Sequence, residues 1–247
     1  MPRGNRVDPW GDLHAVPSRG LFTGNRGCLV DDAGGLVRHH RGSLWITCRI
    51  EYRGWRHPLN APRTWTPLFF LDDAVALAAG HRPCGLRRRA DYLSFRSAVT
   101  SATATGRVVL APELNRRIGA ERYRRGRGLI RAHDRILTSS PIDDLPTGTV
   151  IVDPVTRESC LVTSNHVQRF TFDGWGRPSD RPRGVDVEVL TPPTSVAALI
   201  NGFVPHLHAT AAKKVDGTEP PSFRWVSTTG RRPDQCGRVR FVRGLGA

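Results

Sequence analysis

The segment Leu68-Phe69-Phe70-Leu71-Asp72-Asp73-Ala74-Val75-Ala76-Leu77-Ala78-Ala79-Gly80 constrains the fold more than any other stretch of the chain. Asp72 or Asp73 can accept hydrogen bonds from the free N–H groups of a first helical turn, Ala and Leu carry the helix through Ala79, and Gly80 supplies the left-handed residue that ends it. The predicted helix is short, about two turns. The same aspartates interrupt the apolar stretch. No run of about 18 uncharged apolar residues occurs, so no membrane span is expected. The N-terminus, MPRGNRVDPWGDLH, is basic but has no apolar core, which predicts no secretory signal and a cytoplasmic location.

Around this helix the chain of 247 residues, 38% hydrophobic, is long enough to build one large domain or two small ones. We expect an α+β fold: a small N-terminal sheet with short helices, followed by a β-rich small barrel or curled sheet. Thr47 to Tyr52 alternates as a half-buried strand does. A second helix over Arg88 to Ala98 places Tyr92, Phe95 and Ala98 on one face, and Ser97 to Gly106 reads as a linker. A third helix is predicted from Pro112 to Arg125, with Leu114, Ile118 and Tyr123 as its buried contacts. Strands follow at 148–152, 160–163, 167–172 and 185–190, and a last helix begins at Thr194. The expected organisation is an N-terminal unit over 1–100, a basic helical connection over 101–145, a β-rich unit over 146–210 and a weakly ordered basic tail over 211–247.

The net charge of +15 is almost entirely arginine, since Lys213 and Lys214 are the only lysines among 37 basic residues. Such a surplus repels itself unless a polyanion neutralises it, and the guanidinium fork grips phosphate through two donors. Nucleic acid, DNA or RNA, is therefore the expected partner. Two blocks concentrate the charge: Arg82, Arg87, Arg88 and Arg89 near the start of the second helix, and the seven arginines between 116 and 131, opposed by Glu121 alone. Within the second block Arg116, Arg117, Arg124, Arg125 and Arg127 are the expected phosphate contacts, with Glu121 pairing to a neighbouring arginine one turn away. Trp55, in Arg53-Gly54-Trp55-Arg56, is the expected stacking residue for a base, and Trp45 the expected core tryptophan.

Residues 68–89 resemble the zinc-binding module of the Ada DNA-repair regulator and the small zinc modules like it. The shared pattern is a strand ending in aromatic residues, an acid-capped, Ala-rich helix, then Gly80-His81-Arg82-Pro83-Cys84. The resemblance implies a basic loop laid on a phosphodiester backbone and a zinc ion held by cysteines. The chain departs from the pattern at Arg87, which stands where the family has its second thiolate, and it has no tight upstream cysteine pair. A guanidinium cannot ligate zinc. Cys28, Cys48, His81 and Cys84 would make a rearranged metal site only by converging in space; no cofactor is expected otherwise. The five cysteines, odd in number and widely spread, do not suggest a disulfide framework. As a whole the chain also resembles arginine-rich proteins of GC-rich bacteria, a likeness that implies no activity.

One pattern points to an enzyme instead. His206 and His208, two apart, would share a face if they lay on a strand, as in many metal-dependent hydrolases. The alternative expectation is thus a metal-dependent phosphodiesterase or other hydrolase acting on an anionic substrate. A structural component of the ribosome or nucleoid is a third. No Walker loop, dinucleotide fingerprint or nucleophile elbow is present.

Overall fold

The computed structural model describes residues 3–58, 64–103 and 106–211. The predicted basic tail thus lies, beyond residue 211, outside the described residues.

Eight short strands precede residue 84: β1 (Arg6–Val7), β2 (Leu13–His14), β3 (Phe22–Asn25), β4 (Ile46–Arg49), β5 (Glu51–Tyr52), β6 (Trp55–Arg56), β7 (Leu68–Phe70) and β8 (Arg82–Pro83). Six of them form one mixed sheet in the order β2-β1-β7-β3-β4-β8, and β5-β6 is a separate hairpin. The helix expected after β7 is α1 (Asp73–Ala78), and every residue in it is buried. Asp72 caps it, its carboxylate accepting from the Val75 N–H at 3.1 Å. Gly80 ends it at φ +80°.

The second helix, α2 (Arg89–Ser101), runs further than the sequence suggests, through half of the expected linker. Ala98 and Val99 explain this: both are buried in an apolar cluster with Phe95, Leu114, Ile118, Leu199 and Phe203. α3 (Ala111–Arg122) stops short of the expected Arg125. Tyr123 leaves the helix in extended conformation, so it does not share the face of Leu114 and Ile118.

A second sheet follows, built from β9 (Thr138–Pro141), β10 (Val150–Val152), β11 (Ser159–Val162), β12 (His166–Thr171), β13 (Gly174–Asp180) and β14 (Asp186–Val189). Its order is β13-β12-β11-β10-β14-β9, antiparallel throughout. It is an open sheet and not a closed barrel. β9 and β13 escape the sequence pattern because both carry proline and lie at the two edges, where a missing N–H breaks no ladder. Helix α4 (Pro193–Ile200) completes the described elements.

α1 joins the two sheets. Its Ala74, Val75, Ala76, Ala78 and Ala79 pack in one cluster with Leu68 and Phe70 of the first sheet and Val150, Val152, Leu161 and Trp175 of the second. Polar contacts reinforce the joint, because Asp72 accepts from Trp175 Nε1 at 2.6 Å and from the His208 N–H at 2.9 Å. The apolar clusters therefore cross the boundaries that composition suggests near 100 and 145.

Candidate nucleic-acid interface

The last turn of α3 and the extended residues after it face the loop before β4 across a cleft of about 490 Å³. Arg116, Arg122, Arg124, Arg125 and Arg131 line it together with His40, Trp45, Asn115 and Tyr123. Arg116, Arg124 and Arg125 are exposed. Among the described residues no carboxylate lies within 4.0 Å of Arg116, Arg122, Arg124 or Arg125, whereas Arg131 is paired with Asp134.

Four buried arginines, Arg26, Arg122, Arg131 and Arg135, stand beneath and beside this cleft. Aromatic faces and carbonyl oxygens take the place of most of the carboxylates such burial normally requires. The guanidinium carbons of Arg26 and Arg122 lie 4.5 and 3.9 Å from the centre of the Trp45 ring, and those of Arg131 and Arg135 lie 5.1 and 5.0 Å from that of Tyr123. Arg122 donates to the carbonyls of Ile118 and Ser43, Arg26 to that of Gly11, and Arg135 to those of Ala78 and Leu190. The Tyr123 hydroxyl donates to the Trp10 carbonyl. Asp12 accepts from the N–H groups of Arg131 and Ala132, which ties the N-terminal segment to the far wall.

Gly80 is part of this construction. A Cβ there would stand 2.3 Å from both Cγ and Cδ of Arg122, so the absence of a side chain at the end of α1 makes room for the arginine stem.

Burial lowers the pKa of Arg122 to about 9 and of Arg26 to about 10, which leaves both charged at neutral pH. The histidines shift in the same direction, but from a lower starting value, and so lose their charge. Burial, then the nearby Arg26, push His39 down to about 2 and His40 to about 4, and burial keeps His81 well below its ordinary value. The cleft is therefore cationic through arginine alone, with His40 as a neutral imidazole on its wall. Such an arrangement can attract an anion and offer it several guanidinium donors over a low-dielectric base.

The structure divides the arginines expected from sequence into distinct groups. Arg116, Arg124 and Arg125 converge on the cleft; Arg127 is exposed beside it in sequence but does not line it. Arg117 is tied to Glu113 at 2.6 Å. Glu121, expected to pair with an arginine, instead accepts from the N–H and hydroxyl of Thr194 and caps α4. In the first block Arg88 does not face solvent: it is buried and holds Asp73 through two hydrogen bonds and Asp91 through a third. Arg82 is buried too, donating to Asn115 Oδ1 at 2.9 Å and so positioning a residue of the cleft wall. Arg89 is exposed, and Arg87 lies over the Trp55 ring at 4.5 Å. Trp55 is exposed on the β5-β6 hairpin, and Trp45 is core as expected. Sequence reading missed Arg26, Arg135, Tyr123 and His40 as members of one site.

The expected metal donors do not assemble. Among the described residues no three of His, Cys, Asp and Glu are grouped to hold an ion. Cys84 and Cys48 are hydrogen-bonded neighbours, but the Cys28 thiol donates to the Val30 carbonyl and His81 packs between Trp45 and Phe70. Two thiols beside an arginine do not fit zinc. His206 and His208 lie on no strand: the His206 ring contacts Asp91 at 3.3 Å and the His208 ring Thr210 at 3.0 Å, while their N–H groups bind Asp73 and Asp72. Their N–H groups thus meet the two aspartates at the N-terminus of α1.

No family model, no curated protein and no solved structure matches the chain.

Proposed function

We propose that this protein binds nucleic acid, DNA or RNA, by laying a phosphodiester backbone along the cleft beside α3. The observation that carries this reading is the meeting of exposed Arg116, Arg124 and Arg125, free of carboxylate partners among the described residues, above a layer of buried arginines that includes Arg122. Phosphate contacts of this kind fix a chain without reading its bases. Arg87 stacked on Trp55, with exposed Arg89, supplies a second cationic surface outside the cleft lining. The likeness of residues 68–89 to the Ada-type module agrees with a role on nucleic acid, in repair or in RNA handling. No geometric observation favours the hydrolase alternative.

The test is titration of the full chain against fluorescent single strands and duplexes of mixed sequence between about 50 and 200 mM salt. Binding with little sequence preference and a log–log salt slope of roughly −0.9 per neutralised phosphate on duplex is expected. Absence of binding to every probe at the lowest salt overturns the proposal.

A further inference from the structure

We propose that Cys48 and Cys84 form a peroxide-reactive thiol pair that closes to a disulfide. The register between β4 and β8 makes the case first. These strands are parallel, with Ile46 opposite Arg82 and Thr47 opposite Pro83, and the next step along both brings Cys48 opposite Cys84. The Cys84 N–H donates to the Thr47 carbonyl at 2.8 Å and holds that step in place. Neighbouring strands lie about 4.8 Å apart, within the Cα separation of about 4.4–6.8 Å that a disulfide spans, so the bond needs no rearrangement of the sheet. The two thiols are free in this structure and each is the largest influence on the other's ionisation.

The pair is asymmetric. Cys84 Sγ accepts the backbone N–H groups of Leu86 and Arg87 at 3.4 and 3.5 Å, and the Cys48 thiol donates to it as well. These bonds, together with the Arg82 cation, favour the thiolate at Cys84, whereas Cys48, as donor to it and buried, is held as the thiol. Cys84 is the nucleophile and Cys48 the resolving partner. In the first step the Cys84 thiolate attacks a peroxide oxygen; the S–O bond forms as the O–O bond breaks, sulfur is oxidised to the sulfenic acid, and the leaving hydroxide takes up a proton as water. In the second, Cys48 sulfur displaces the sulfenic hydroxyl, which leaves as a second water with the Cys48 proton, and the S–S bond closes. Both side chains are nearly enclosed, Cys84 at 7% and Cys48 at 3% exposure, which selects hydrogen peroxide over bulky disulfides as the oxidant. The arrangement differs from a metal knuckle where Arg87 replaces a thiolate: the Arg87 backbone N–H and the Arg82 cation favour the ionised form of Cys84, but neither can share an ion with it.

The experiment treats the full chain at pH 7 with a slight excess of hydrogen peroxide, then alkylates and maps peptides by mass spectrometry. A Cys48–Cys84 disulfide formed at least about tenfold faster than oxidation of Cys160 is expected, because the Leu86 and Arg87 N–H groups favour the thiolate at Cys84 while burial pushes the Cys160 thiol up. In Cys48→Ser the reaction is expected to stop at a Cys84 sulfenic acid trapped by dimedone. Peroxide that oxidises Cys28 or Cys160 while Cys48 and Cys84 remain alkylatable overturns the proposal, as does a disulfide that appears only after denaturation. The wild-type map needs no variant to fold and does not depend on nucleic-acid binding.

Discussion

The Arg122 stem lies against the bare Cα of Gly80, and its charged end sits 3.9 Å from the centre of the Trp45 ring. Gly80→Ala is therefore expected to act twice, through a left-handed backbone that Ala resists and through displacement of that stem. A stability loss of about 1–3 kcal/mol in urea unfolding is expected, with weakened nucleic-acid binding beside it. The buried histidines give a separate signature. Unfolded imidazoles protonate near pH 6.5, but folded His39 and His40 stay neutral until about 2 and 4. Between these values the unfolded chain binds protons that the folded chain excludes, so stability falls as pH drops below about 6.5. His14 acts oppositely, because its hydrogen bond to Asp8 raises its pKa and that contribution is lost at higher pH. His81, which burial also holds well below its ordinary value, joins His39 and His40, and the three outweigh His14: thermal midpoints are expected to drop from pH 7 to pH 5, and His81→Phe is expected to flatten the drop. An unchanged pH profile in that variant would remove His81 from the account.

At the scale of elements, α3 carries both the cleft and a weakness, since Gly119 lies within it. A Cβ at Gly119 would meet Arg122 Nη2 at 3.6 Å and Ser43 Cβ at 3.8 Å, which are ordinary contacts. Gly119→Ala is expected to stabilise the protein by about 0.5–1 kcal/mol in chemical denaturation. Glu121→Ala is expected to cost about 1 kcal/mol, because Glu121 satisfies the first free N–H of α4 from outside that helix. What sequence makes legible here is what is local. Asp72 caps α1, Gly80 ends it, and the spacing of Tyr92, Phe95 and Ala98 marks the buried face of α2. The length of α2 is not legible, because its last turn depends on packing against α4. The candidate site is half legible: Arg116, Arg124 and Arg125 are visible as a cluster of charge. Arg26 and Arg135, by contrast, read as surface residues until folding brings them to Trp45 and Tyr123.

For the whole molecule the question is where the charge of +15 resides. Arginines paired with carboxylates, Arg88 with Asp73, and Arg157 and Arg183 with Glu188 and Asp143 at the second sheet, add nothing to that surplus. The surplus beside α3 faces solvent without a partner among the described residues. A nonspecific polycation would bind in proportion to net charge, and a built interface would not. Two doubly substituted proteins separate these cases, Arg124→Gln/Arg125→Gln in the cleft and Arg157→Gln/Arg183→Gln on the second sheet, since each removes the same two charges. The salt dependence of duplex binding should lose roughly 1.8 from its log–log slope in the first protein, with affinity at about 100 mM salt down at least tenfold, and stay close to wild type in the second. Equal losses in the two would contradict a cleft-centred interface and leave only the charge.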